Sequence, residues 1–596
     1  MQKIVLEGRS TAIKNLCNRF VRELPPSPKY LLRLIEELDI VEHKGFVRCF
    51  EQVSDIIEYT RSRGIPHVLR GSGACSLLCY MLGITSIDPV KEGMVLARFM
   101  NKNRSDQPDI DIDVPHWIRP QILEHIYQKW PGQVARISND VKYREKTALR
   151  KILKEFGVKG HIPKYFDVSD YFDDAEEVEE IKRQARELVG EHRHWSLHCG
   201  GIIIYDDSVP EDLILKENQI RLTKYDVDEQ NLIKIDLLCN RGLSQLWDLS
   251  DMPLSEYPYE DEAIAEMLSS GEVLGLTQAE SRTMRKAFLA LKPKNYHDVA
   301  LALALIRPAA ADGGRKAAYF KSMNAQTRKR MIIYDDDALG FIAEKIDCSL
   351  EEADKYRRAF KKGKQKLIGE FYERLGNNST KELQVRQLNE LNKYSFCKGH
   401  SLAYGQLVWA LAYHKKYNPK RFWEATLKHV HSSYRPWVHK HEAQRAGVFV
   451  PNRYHVLKPL DQFKEQGWWA GSEFLPNCFV TRHGETEYVL FRGLVANMRK
   501  LWRYGSVLRF MTIGIGDGKY IDLTISKEVW DGNYTIVQGA GIVKKSDNAY
   551  HIEVLKMWPT WITDLQSKKY KPLCVPHSGW QSYKKKPRKP NRLKLF

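Results

Sequence analysis

The sequence contains no apolar run long enough to cross a bilayer: the longest, at 299–306, falls far short of the roughly 18 residues that a membrane span needs. Its first residues, MQKIVLEGRST, hold no apolar stretch of the kind that marks a secretory leader, so a cytoplasmic protein with no membrane partner is expected. Paired cysteines are missing too. The ten present are scattered, and the closest, Cys75 and Cys79, stand four apart instead of in the CxxC spacing of structural zinc, which reads as reduced thiols. No segment repeats at a fixed period, which sets aside solenoids and propellers. Acidic residues are in deficit, 75 against 93 basic ones, and the net charge of +18 favours a polyanionic partner, nucleic acid first. A chain of 596 residues exceeds what one hydrophobic core supports; roughly three or four domains are expected.

What is present centres on acids inside apolar patterns. The segment PDIDIDV at 108–114 alternates Asp with β-branched residues, and a strand's period of two places Asp109, Asp111 and Asp113 on one face. Asp is depleted in strands and three like charges repel, so the pattern makes sense either as a solvated acidic edge or as a face for divalent cations, Mg²⁺ being the natural guest. A second segment, NLIKIDLL at 231–238, sets Asp236 in a buried-strand pattern, where an unpaired carboxylate is costly. Lys234 shares its face and either neutralises it or contacts phosphate. Upstream, RGSGACS at 70–76 is a small-residue turn before an apolar helix-like stretch, a layout able to present backbone N–H groups to phosphate.

These residues carry a family resemblance. RGSGACS at 70–76, LGITSIDP at 82–89, RFMN at 98–101 and PDIDID at 108–113 closely resemble the palm signature of C-family DNA polymerases, the family of the bacterial DNA polymerase III alpha subunit. Further matching blocks follow in order: HCGG at 198–201, KID at 234–236, QAESR at 278–282, LIRP at 305–308, ADKYRRA at 353–359 and YSFCKGHSLAY at 394–404. The resemblance is strong over residues 28–450 and continues more weakly to about 557. It implies an α/β multidomain fold: a polymerase-beta-like nucleotidyltransferase palm, helical fingers and thumb, and a C-terminal OB-like β-barrel. It implies catalysis by Asp109, Asp111 and Asp236 as ligands of two Mg²⁺ ions, with Asp113 behind them. Gly71, Ser72, Arg98, Lys234, Arg357, Arg358 and His400 are implied around the incoming nucleotide. Primer-template DNA and dNTPs are the implied partners, in a bacterial or phage-infected cell. On the residues alone, Arg357 and Arg358 also fit a solvated basic helix face and His400 an ordinary core histidine. Tyr394, Phe396 and Tyr404 fit core aromatics as well as a base-stacking surface.

The expected division is palm 1–141, thumb 142–225, second palm segment 226–250, fingers 251–434, a reduced helix-hairpin-helix-like connector 435–486, an OB-like domain 487–558 and a basic tail 559–596. Five short alternating runs after 489 support the barrel. The family's alpha subunits begin with a PHP domain, for which the early palm turn leaves no room, so a compact form without it is expected. No exonuclease-like Asp-x-Glu set is evident, so proofreading is assigned to a separate nuclease. LIRPAA at 305–310, YDDD at 334–337 and LLCNRG at 237–242 depart from the replicative pattern, the last toward error-prone relatives. The tail ends in RLKLF at 592–596, similar to the motif that docks bacterial polymerases on the sliding clamp, with Leu593, Leu595 and Phe596 as its contacts. The contrary expectation is a catalytically inactive polymerase-like accessory protein that binds DNA.

Overall fold

The structure, a computed structural model, describes residues 7–103, 107–163, 165–307, 331–376, 396–429, 431–450, 479–483, 486–503, 506–516, 519–526, 536–546 and 549–559, with scattered positions between 318 and 389. The chain forms two compact units, one made chiefly of residues 1–433 and the other chiefly of residues after 450.

The larger unit is built on a mixed sheet of seven strands: β1 (Val68–Arg70), β2 (Ile110–Pro115), β3 (Val134–Lys142), β4 (His192–Ile204), β5 (Ile214–Lys216), β6 (Gln219–Ile220) and β7 (Ile235–Asn240), in the order β1-β2-β7-β4-β3-β6-β5. The acid-apolar alternation makes β2 what it is: Ile110, Ile112 and Val114 are buried, and they join a core with Ile235 and Leu237 of β7 and Ile122 and Ile126 of the helix Arg119–Lys129. That leaves the acids to the opposite face. The β2–β7 pairing is parallel and sets Asp111 directly beside Asp236. Antiparallel β1 brings Arg70 beside Asp111, and antiparallel β4 brings Gly201 beside Asp236.

Part of the span expected to form a thumb belongs to this sheet, since it supplies β4, β5 and β6. What packs separately there is the stretch between β3 and β4, where helices Glu145–Glu155 and Ala175–Leu188 enclose Ala148, Ile152, Leu153, Val178 and Ile181. A further core, with Leu339, Ile342, Tyr356, Phe360 and Phe371, joins helices Asp335–Lys345, Leu350–Lys362 and Gln365–Leu375. The 20-residue helix Lys398–Tyr417 is buried along most of its length, as suits a helix apolar on nearly all sides. Its glycines permit the closeness: a Cβ on Gly399 would lie 2.7 Å from the Ala74 Cβ, and one on Gly405 2.6 Å from the Tyr296 carbonyl oxygen.

The smaller unit holds a closed five-stranded barrel: β9 (Thr486–Arg503), β10 (Ser506–Gly516), β11 (Lys519–Ile525), β12 (Ile536–Ser546) and β13 (Ala549–Pro559). They run around it in the order β9-β10-β11-β13-β12, with β9 pairing β10 and β12 alike and β11 parallel to β13, while β8 (Phe479–His483) extends the β9 edge. Val489, Phe491, Met511, Ile513, Leu523, Val537 and Ile552 fill its interior. Most of the expected connector and all of the tail after Pro559, with Leu593, Leu595 and Phe596, lie outside the described residues.

Candidate active site

Asp109, just ahead of β2, Asp111 within it and Asp236 on β7 converge: a carboxylate oxygen from each lies within 4.8 Å of the others. No other group of three potential metal ligands meets that distance among the described residues. Asp109 is exposed, whereas the Asp111 and Asp236 side chains retain only 18% and 11% of their accessibility. Burial, reinforced by Asp109 and Asp236 against the opposing pull of Arg70 and Lys234, pushes the Asp111 carboxyl up to about 7. Two cations of the chain partly offset this charge. Lys234 Nζ bridges the site, in contact with Asp236 and 3.4 Å from Asp109, and Arg70 Nε lies 3.4 Å from Asp111.

Two features leave room for a hard cation. The Oδ1 of Asp236 is buried without a hydrogen-bond partner, a state that costs energy unless something fills it. Its near neighbour is His198, whose Nδ1 lies 3.6 Å away but accepts hydrogen bonds from the backbone N–H of Gly201 (2.8 Å) and Gly200 (3.3 Å). The ring proton therefore sits on Nε2, and the His198–Asp236 approach brings two acceptors together instead of forming an ion pair. Burial also lowers the His198 pKa. Beside this oxygen is Gly200, where a Cβ would come within 3.1 Å of Asp236 Oδ1 and 2.6 Å of the Leu238 side chain. A carboxylate set with one free buried oxygen fits Mg²⁺ or a similar oxygen-seeking ion.

Asp113 stays behind the other three acids. Its Oδ2 accepts from Asn240 Nδ2 at 2.9 Å and from the Tyr404 hydroxyl, so it ties β2 to the end of β7 and to the long helix. The turn Gly71–Cys75 is a short 3₁₀ segment that opens with Gly71 at φ +76°, a backbone state that favours glycine. The Gly71 N–H donates to His400 Nδ1 at 3.3 Å, and the Cys397 thiol donates to its carbonyl at 3.0 Å. Ser72 is half-buried, and its hydroxyl has no partner among the described residues. Burial, then Arg307 and Arg70, pushes His400 down to about 3. With Nδ1 committed as an acceptor, Nε2 carries the proton, and its 3.4 Å approach to Arg307 Nη2 is donor against donor.

Arg98 and Arg357 take a different position. Both bind Asp335, Arg98 Nε at 2.9 Å and Arg357 Nη1 at 3.2 Å, and Arg357 also holds Asp354 through Nε and Nη2 at 2.9 and 2.8 Å. With 4% of its side chain exposed, Arg357 is part of a buried ion network. Arg358, next on the same helix, is half-buried. The structure thus gathers Asp109, Asp111, Asp236, Lys234, Gly71 and His400, and turns Arg357 toward its own carboxylates. Sequence reasoning did not single out Arg70, His198, Gly200, Asn240 and Arg307 as site residues. All but Asn240 lay within the recognised blocks, and nothing in those strings marks the geometry they adopt.

The profile of the bacterial DNA polymerase III alpha NTPase domain matches residues 9–239, and that of the bacterial DNA polymerase III alpha subunit finger domain matches residues 241–382. The chain belongs to the bacterial DNA polymerase III alpha family. Among curated members it is 29% identical to the error-prone DNA polymerase of Anaeromyxobacter dehalogenans (strain 2CP-C) over 490 residues, 70% of this chain and 43% of that protein. Identity to the error-prone DNA polymerase of Saccharophagus degradans is 28% over 486 residues, 72% of this chain and 46% of the relative. For that of Bdellovibrio bacteriovorus it is 27% over 512 residues, 76% and 47%. The chain thus spans less than half the length of these relatives. All three carboxylates fall inside the first matched segment, and the buried Asp335–Arg357 network falls inside the second.

Proposed function

We propose that this chain is a template-directed DNA polymerase that adds dNTPs to a primer 3′-hydroxyl. The observation that carries the reading is the parallel pairing of Asp111 with Asp236 beside Asp109, with one buried carboxylate oxygen left unsatisfied. Two Mg²⁺ ions bound there would lower the pKa of the attacking hydroxyl and stabilise the leaving pyrophosphate. The chain's own part is to hold Asp109, Asp111 and Asp236 on adjacent strands and to keep Asp236 Oδ1 clear through Gly200. Lys234, released from Asp236 and Asp109 when other charge enters, is placed to meet the nucleotide phosphates. Gly71, Ser72, His400 and Arg307 form the opposite wall, where Ser72 offers a free hydroxyl. Arg98 and Arg357 act from behind it, joining the turn side of the palm to the finger helices.

On this reading the seven-stranded sheet is the palm, residues 143–191 the thumb and residues 251–434 the fingers. The barrel is an OB-like module for single-stranded template. Proofreading falls to a separate nuclease, and Leu593, Leu595 and Phe596 dock a sliding clamp. A bacterial or phage-infected cytoplasm is the setting. The test is primer extension on a gapped template with Mg²⁺. Asp109→Asn together with Asp111→Asn is expected to abolish extension while binding of primer-template DNA persists; extension at the wild-type rate overturns the proposal. A wild-type chain that binds DNA yet never extends a primer would instead mark an inactive accessory.

A further inference from the structure

The sheet carries a second charged feature on the face turned away from Asp111 and Asp236. Arg136 on β3 lies in one cross-strand row with Ile202 of β4 and Ile235 of β7. Directly opposed residues share a face and successive residues alternate, so Arg136 points to the side opposite Asp236. Arg119, the first residue of the helix Arg119–Lys129 on that side, donates through Nε to the Leu237 carbonyl at 2.7 Å. Both side chains are half-buried, and within each one nitrogen is buried with no acceptor: Nη2 of Arg119 and Nε of Arg136. Neither forms an ion pair among the described residues.

Two guanidinium groups in mutual electrostatic reach, without a carboxylate on either, repel one another. The Arg136 pKa is lowered by burial first and by Arg119 next, with Tyr127 and Cys239 pulling the other way. The Tyr127 phenol, within reach of both arginines and of the Asn218 side chain, adds a neutral donor; Glu124, the acid that acts on Tyr127, is not paired with either arginine. Half-buried like charges with unfilled donors are the mirror image of the metal site on the other face: there acids surround an unsatisfied oxygen, here cations surround unsatisfied N–H groups.

We propose that Arg119 and Arg136, with Tyr127 and Asn218 beside them, form a binding site for a phosphate oxyanion on the back of the sheet. The guanidinium fork suits phosphate oxygens, since two parallel N–H bonds can reach one group from each arginine. A phosphate between the two would satisfy both buried nitrogens and remove the repulsion. The same chemistry is offered by a free phosphate group and by the backbone of a nucleic-acid strand. The site does not depend on the polymerase reading, because its test measures binding without synthesis.

Thermal unfolding of the full chain, with sodium phosphate against sodium chloride at equal ionic strength and with EDTA present, tests the first source. Phosphate is expected to raise the wild-type Tm, and Arg119→Gln with Arg136→Gln is expected to abolish that rise. Fluorescence anisotropy of a labelled single-stranded oligonucleotide across a salt series tests the second. If the site takes a strand, the double variant's slope of log affinity against log salt becomes shallower by about 0.7 for each phosphate that is no longer neutralised. Loss of both responses assigns a strand phosphate, and loss of the Tm rise alone assigns a free oxyanion. Wild-type behaviour of the double variant in both assays overturns the site. Arg136→Lys keeps the charge and removes the fork, so it decides the matter if the double variant does not fold: a smaller Tm rise supports the site and an unchanged one overturns it.

Discussion

Gly200 leaves open the space beside the one buried carboxylate oxygen that has no partner among the described residues, so its hydrogen side chain bears directly on the cation binding proposed there. In Gly200→Ala the added methyl would stand 3.1 Å from Asp236 Oδ1 and press on Leu238 at 2.6 Å. Leu238 can give way, but the oxygen then faces a methyl in place of a cation. Mn²⁺ affinity, followed by electron paramagnetic resonance, is expected to fall about tenfold, the size of change that groups just outside the ligands produce; unchanged affinity would mean the cation sits elsewhere. His400 offers a pH signature at the same scale. Its pKa is about 3 in the fold, against about 6.5 when unfolded. Between those values the unfolded chain binds more protons, so this stability is present above about pH 6.5 and is lost as pH falls toward 3. From pH 7 to 5 the loss amounts to about 2 kcal/mol. His400→Asn does not titrate there, and urea unfolding at pH 7 and pH 5 is expected to show it losing less stability than the wild type by about that amount.

At the scale of elements, the end of β7 is where strand, helix and the acidic face of the sheet are joined. Asn240 caps the helix Arg241–Leu249 by accepting from Gly242 N at 2.8 Å and Leu243 N at 3.2 Å, while its amide donates to Asp113. Asn240→Ala removes the cap, at a cost of about 1 kcal/mol, and leaves buried Asp113 with the Tyr404 hydroxyl as its hydrogen-bond donor and Arg70 Nε 3.9 Å from its other oxygen. The expected result is a lower unfolding midpoint together with slower primer extension; a lower midpoint with extension intact would separate the cap from the site. This junction shows what the sequence could and could not tell. The alternation of Asp with Ile and Val in 108–114 was enough to foresee a strand with acids on one face, because a period of two is a local property. The barrel strands were legible for the same reason. That Asp111 would lie level with Asp236 was not, since register between distant strands is set by packing. The acidic run at 334–337 looked like simple divergence, yet Asp335 from it takes both Arg98 and Arg357. Charge-run reasoning sees a solvated face or a phosphate contact, and it has no means of finding a carboxylate far along the chain that claims the guanidinium first.

For the molecule as a whole, the excess of basic residues and the pocket of acids call for different responses to salt. Net charge of +18 acts through exposed groups, among them Lys142 and Arg193 on the paired strands β3 and β4. Ions screen such charges over a Debye length of about 8 to 10 Å at physiological strength. A chain that neutralises six to ten DNA phosphates loses roughly 10³ to 10⁵ in affinity between 50 and 200 mM salt. Of the carboxylates that would hold the cations, Asp111 and Asp236 are largely buried, and mobile ions screen such charges much less. Raising salt in a primer-extension assay is therefore expected to raise KM for primer-template DNA steeply while kcat at saturating DNA changes little. The Asp109→Asn, Asp111→Asn variant should show the same salt slope in DNA binding as the wild type, because that slope counts phosphates neutralised by Lys and Arg and the variant removes neither. If kcat fell in parallel with affinity, the grip on DNA and the chemistry would share their charges, and the separation between a basic exterior and an acidic centre would not hold.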